Sequence, residues 1–286
     1  MGLSARVPST YSTNKFIPSI YANRVQEAAK DELVAWESID SSWEKDMKKG
    51  DTLYIGKTNT VTATEVVVGT KASALNPFNT TATTLSVDQW YEAPVDVDDM
   101  SSKQTQIDPE GESAKEGAYA IAVAIDSSVC ALFDTLFSGS TGVQGSDGQT
   151  LTDDLLLSMV EALNRQKVPR PDRTLIVDAS GLTDMLKIDK FIAAEYGKTG
   201  AVASGLIGTS PLYGCKVRIT QNLTNATTGS YGVLMHKKAI VGVAQIHKSW
   251  VKKFEELHNI RFQSEALWGV AEHMDLWGIP FYTRAK

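Results

Sequence analysis

The chain has 286 residues, 42% hydrophobic and 22% charged, enough apolar material for one large or two modest packed domains, which excludes general disorder. Its 28 basic and 34 acidic residues leave a formal charge of −6, and no basic stripe is visible, which excludes tight nucleic-acid binding through phosphates. The two cysteines, Cys130 and Cys215, sit far apart in apolar surroundings and read as buried thiols of a reducing compartment, not as a disulfide or metal framework.

Residues 1–15 are polar, contain Pro8 and show no apolar signal core, so they read as a mobile arm without a signal peptide. Phe16-Ile17-Pro18-Ser19-Ile20-Tyr21 leads into a helix predicted over 20–35, where Val25, Ala28, Ala29, Leu33 and Trp36 recur at helical spacing. Gly50-Asp51 is a turn, 52–55 and the β-branched 60–69 are predicted strands, and 71–81 is a polar loop tip. The segment 83–97 returns as strand. The resulting extended hairpin has few large apolar residues of its own and must lie on something else.

Asp108-Pro109-Glu110 is a helix start, with Glu110 and Glu112 complementing the positive end of the dipole. The helix is predicted to run to Phe137, roughly 40 Å at 1.5 Å per residue, with Ala118, Ile121, Ala122, Ile125, Val129, Leu132, Phe133 and Leu136 as its apolar stripe. Asp126 and Asp134 interrupt this stretch, which rules it out as a membrane span. After the Gly/Ser-rich 139–148, Thr150 and Asp153 predict a capped helix over 151–167 with Leu155, Leu156, Met159, Val160 and Leu163 inward. Pro169 and Pro171 end it. A buried strand follows at 173–178, then a helix at 179–196, a five-glycine loop at 197–214, strands at 216–220, 231–235 and 239–243, and a strand-rich tail punctuated by Gly269 and Gly278.

Chemistry-bearing patterns fail in turn. Gly197-Lys198-Thr199 resembles the end of a phosphate-binding loop, but Ile192 stands where its first glycine belongs. Gly208-Thr209-Ser210-Pro211 lacks the final glycine of a nucleophile elbow. His236, His247, His258 and His273 have no partner at metal-ligand spacing. Asp96, Asp98 and Asp99 read as a solvated strand end, and Trp250, Trp268 and Trp277 as packing residues. No catalytic, cofactor-binding or metal residue is assigned, and no cofactor is expected.

What remains is the order: polar arm, short helix, long hairpin, long helix, second helix, α/β insertion, returning strands. In this order the chain resembles the major capsid protein of tailed bacteriophages, a fold family shared with encapsulins. Phe16–Tyr21 resembles the entry from arm to first helix, Gly50–Ile55 the start of the extended loop, and Asp88–Asp99 the strand returning into the spine helix. Gly205–Gly208, Tyr213–Val217 and Gln221–Leu223 resemble the strand motif of the axial domain, and Leu276–Ile279 the last strands.

The resemblance implies an α+β capsid fold. Residues 1–49 would be the N-arm and first helix, 50–99 the extended loop, 100–168 with 236–286 the peripheral domain and spine helix, and 169–235 the axial domain. It implies a non-enzymatic shell protein of the virion, assembled in the host bacterial cytoplasm. The protein would form hexamers and pentamers of an icosahedral head around double-stranded DNA, enclosed without specific binding. Expected partners are further copies of itself, a scaffolding protein and portal, and a decoration protein; no membrane is involved. Candidate intersubunit contacts are Phe16, Ile17, Tyr21, Arg24, Glu65, Lys71, Asn76, Phe78, Trp90, Glu110, Glu112, Lys198 and Tyr213. Rival readings are an encapsulin-type compartment shell and an α/β enzyme centred on 169–243.

Overall fold

The structure is a computed structural model and describes residues 35–45, 47, 52–58, 63, 80–98, 109–137, 142–188, 213–254 and 258–284. The helix predicted over 20–35 falls outside these residues but for Ala35. So do all but Ala63 of the predicted strand 60–69, residues 71–79 of the loop tip, and 197–212 of the glycine-rich loop.

Three sheets organise the described residues. Strands β1 (Thr52–Thr58) and β2 (Thr80–Ser86) form the antiparallel hairpin, with Thr52 opposite Ser86 and Thr58 opposite Thr80. Strand β3 (Gln89–Asp98) leaves the hairpin for a second sheet, so the strand predicted over 83–97 is two strands broken at Val87 and Asp88. The reason is burial: Leu85 and Val87 turn inward beneath the hairpin while β3 finds its partners on the C-terminal tail. Neither set of backbone groups could be satisfied by one straight strand.

That second sheet has the order β3-β8-β7, all antiparallel, with β7 spanning Ile240–Phe254 and β8 Asn259–Glu272. The strand expected over 239–243 is therefore three times longer than its apolar run. Pairing with β8 holds the polar half 248–254 extended, an influence that local propensity cannot express. Its register shifts between Ile246 and Lys248. The shift reverses the alternation, so that Val251 joins Phe262 on the face that Ile240 and Gly242 occupy at the other end.

Helix α1 (Pro109–Cys130) lies on that face, burying Ala118, Ile121, Ala122, Ile125 and Val129 against Ala266, Trp268 and their neighbours. Pro109 stands at its first position, as expected. The helix ends at Cys130, seven residues short of the predicted Phe137. There the backbone tightens, Leu132 and Phe133 donating to Val129 and Cys130 three residues back. The looser path keeps Phe133 and Leu136 in the first core and carries Phe137, at φ 62°, into the second.

The third sheet has the order β5-β4-β6-β9, from Lys216–Ile219, Arg173–Val177, Tyr231–His236 and Gly278–Tyr282. Its β4–β5 pair is parallel and the other two pairs antiparallel. Every residue of β4 is buried, because both faces are covered. Ile176, Val233 and Met235 face the α1 core. Leu175, Val177, Leu234, Ile279 and Phe281 face helices α2 (Asp153–Arg165) and α3 (Ala179–Leu186). The last strand thus joins the sheet built from 173–236.

The cap of α2 is Thr152, not Thr150; its hydroxyl accepts from Leu155 N–H. Leu151 decides the register: buried before the cap, it packs in the same cluster as Leu156 five residues on, the arrangement that fixes a helix entry angle. Helix α3 is capped by Asp178, which accepts from Gly181 N–H at 2.7 Å.

Candidate functional site

The hairpin is held at its base. Ile55, Leu85 and Val87 pack with Met47, Val241 and Val243 on the sheet face opposite α1. Contact is closest at Gly269 of β8, where a Cβ would stand 2.0 Å from the Ser86 carbonyl oxygen, so only glycine permits the approach. His273 Nδ1 lies 3.2 Å from Thr83 Oγ1, and the Gln245 amide donates to Met47 O. Above this base the strands are largely threonine, and Tyr54 projects outward, 71% exposed.

A second joint lies at Asp126, near the C-terminal end of α1 and only 1% exposed. One carboxylate oxygen accepts from Ala35 N–H at 2.6 Å. The other accepts from Thr220 Oγ1 at 2.9 Å and from Asn222 Nδ2 at 3.0 Å. One side chain thereby ties the N-terminal segment, the long helix and the exit of β5. Asp40 reinforces the tie by exchanging backbone hydrogen bonds with Ile240 and Gly242, and Glu37 pairs with Arg218. Sequence reading noticed Asp126 only as an interruption of an apolar run. Its spacing from Ala122 and Val129 already put it on the inward face, a usable signal for a buried, partnered carboxylate.

Of the predicted contact residues, Trp90 stands on edge strand β3, 65% exposed, on the face away from α1. Tyr213 is exposed in the turn before β5 and donates to Asp153 Oδ1 at 2.5 Å; burial, then this bond, pushes its phenol up to about 12. The backbones of Glu110 and Glu112 lie in the first turn of α1. Phe16, Ile17, Tyr21, Arg24, Glu65, Lys71, Asn76, Phe78 and Lys198 lie outside the described residues. Trp90 lies in the β3-β8-β7 sheet, whereas Tyr213 lies in the turn that enters the β5-β4-β6-β9 sheet. Sequence reading missed the exposed Tyr54, Tyr91 and Tyr119; for Tyr54 the signal was the alternation with inward Leu53 and Ile55.

Groups that could carry chemistry are committed elsewhere. Burial raises both thiols, so Cys130 and Cys215 stay protonated. His236 accepts from Lys238 N–H through Nδ1 and stands edge-on to Trp277. Asp96 of the acidic strand end forms a two-bond pair with Arg261, which holds its carboxyl below the usual range. Among the described residues no three His, Cys, Asp or Glu side chains converge as a metal site, and no helix is long and apolar enough to cross a membrane.

A thin hairpin rooted on a sheet, a long helix on the sheet's other face and a separate mixed sheet make a recognisable combination. Residues 43–210, more than half of the chain, match the phage capsid protein family. The chain belongs to that family. Among solved structures, the capsid protein is similar to one of Mycobacterium phage Che8, at 21% identity and TM-score 0.72, covering 87% of this chain and 90% of that one. It is also similar to the capsid of cyanophage P-SCSP1u, at 14% identity and TM-score 0.66, covering 87% and 86%. A virus-like particle from Pyrococcus furiosus shares the fold at 11% identity and TM-score 0.59, covering 91% and 99%. No curated protein matches. The capsid protein is thus a structural component of a phage shell, and the compartment reading has the weaker support.

Proposed function

We propose that this capsid protein is the repeating wall unit of an icosahedral phage head, forming hexamers and pentamers around double-stranded DNA. The observation that carries the reading is the hairpin: it is rooted through Gly269 and the Ile55–Leu85 cluster, while its outer strands bury little within the subunit. A strand pair so poor in apolar residues gains stability by lying on a neighbour. Many modest, repeated contacts of this kind close a shell.

In this reading, 1–49 is the arm, 50–99 the extended loop, 100–168 with 236–286 the peripheral domain and 169–235 the axial domain, whose sheet the strand 278–282 completes. The thirteen contact candidates lie on the arm and extended loop, at the start of the long helix (Glu110 and Glu112) and in the axial domain (Lys198 and Tyr213). The role is mechanical and not catalytic. Scaffolding protein and portal act during assembly in the host cytoplasm, a decoration protein binds the finished shell's outside, and DNA is enclosed without specific binding.

The test is to express the chain with its gene neighbours and examine it by sedimentation and negative-stain microscopy, beside a deletion of 71–79. Closed multi-megadalton shells from the parent and a folded, non-assembling subunit from the deletion are expected. Normal shells from the deletion refute the role given to the loop, and a monomer from the parent refutes the shell. Shells enclosing an enzyme instead of DNA select the compartment.

A further inference from the structure

A polar cleft of about 90 Å³ opens beside β5, which is the last strand on its side of the sheet among the described residues. Thr174 and Lys216 are register partners on β4 and β5, and Arg218 follows two residues on, so the three share one sheet face. The Lys237 N–H donates to the Asp172 carbonyl at 3.1 Å and closes the far side. The turn Trp36–Ser38 brings Glu37 and Ser38 over the near side.

The charges are not evenly spent. Glu37 is engaged with Arg218. Lys216 and Lys237 both line the cleft, and among the described residues neither has an ion-pair partner. Three cations against two carboxylates give this spot a positive surplus in a chain whose net charge is −6. Ser38 is 4% exposed, and among the described residues its hydroxyl has no hydrogen-bond partner, although buried polar atoms nearly always have one. The Thr174 side chain lines the same space. Two ammonium groups without ion-pair partners and two hydroxyls outnumber the one further carboxylate of the lining, Asp172, and form a donor-rich site that suits a tetrahedral oxyanion better than a cation. The volume exceeds the roughly 10–15 Å³ that one water needs, leaving room for such an anion.

We propose that this cleft binds a phosphoryl group, with Lys216 and Lys237 supplying charge and Ser38 and Thr174 supplying hydroxyl donors. Arg218 is held in place by Glu37 and shapes the wall. The phosphoryl group belongs either to free phosphate or to a nucleic-acid end or backbone. The site stands on this chain's own geometry and does not depend on shell formation.

The test uses the full-length chain, titrated with inorganic phosphate and, separately, with a short 5′-phosphorylated DNA oligonucleotide, by calorimetry and ³¹P NMR. Variants are Lys216→Gln, Lys237→Gln and Ser38→Ala, with Lys57→Gln on the hairpin as a distant charge control and circular dichroism to verify folding. Saturable phosphate binding is expected, weakened at least about tenfold in each lysine variant, the loss of one charge-assisted hydrogen bond. Ser38→Ala weakens it without changing charge, and Lys57→Gln leaves it unaltered. Oligonucleotide binding that phosphate displaces assigns the site to nucleic acid; phosphate binding alone assigns it to the free ion. Should Ser38→Ala fail to fold, the two exposed lysines still decide the matter. Absence of saturable phosphate binding in the millimolar range overturns the proposal, as does binding unchanged in the lysine variants or oligonucleotide binding that phosphate does not displace.

Discussion

Replacing Asp126 with alanine tests whether the joint between arm, long helix and sheet is built as described. The change strands three donors in the interior: Ala35 N–H, the Thr220 hydroxyl and the Asn222 amide. Hydrogen bonds to a charged acceptor contribute about 1.5–3 kcal/mol each, and part of the sum is offset by relieving the carboxylate's own burial. A net loss of about 3–5 kcal/mol follows. For a chain of this size that lowers the melting temperature by roughly 6–15 °C. Asp126→Asn costs less, about 2 kcal/mol: its remaining oxygen can still serve Ala35 N–H, while its amide meets a second amide donor at Asn222. The assay is urea unfolding of the unassembled subunit, with exposed Asp134→Ala as control, for which the expected change stays within about 0.5 kcal/mol. Equal effects at 126 and 134, or a loss below about 1 kcal/mol at 126, refute the joint.

Gly269→Ala drives a methyl group into the Ser86 carbonyl, so it should cost about 1–3 kcal/mol and expose 52–86 to limited proteolysis, whereas Gly56→Ala, with open space around it, should not. Burial lowers the pKa of both His236 and His273, so the unfolded chain takes up protons first as pH falls below 6.5. Their stabilising contribution is complete above that pH and is lost as pH drops through the lowered folded values; urea midpoints between pH 7.5 and 5 should show the decline, and His236→Gln should flatten part of it. Ile121→Ala, on the buried face of α1 in the first core, should cost about 2–5 kcal/mol in the same urea assay, while Leu157→Ala on the exposed side of α2 should cost far less.

Much of the architecture was legible in local patterns. The stripe of α1, the inward residues of α2, the fully buried β4 and the antiparallel hairpin all follow from periodicity, and burial agrees with them. Boundaries were less legible. Thr150 and Thr152 offer the same capping oxygen, and only the docking of Leu151 chooses between them. The α1 stripe continues in sequence to Leu136, yet the helix stops at Cys130 because Phe137 is drawn to the other core.

The candidate site divides in the same way. Trp90 was identifiable as a large aromatic on a strand that cannot hide both faces, and the scarcity of large apolar residues in 52–86 marked a segment that must lean on something. The roles of Gly269, Asp126 and the cleft at Lys216 were not identifiable, because each joins residues 90 or more positions apart in the chain, or elements of different order in space. The sequence by itself determined element type and inward faces, since those depend on neighbours three or four residues away in a helix and two in a strand. Only the tertiary structure decided which strand pairs with which, where glycine is obligatory and which buried charges find partners, since these are set by contacts whose sequence separation carries no local signal.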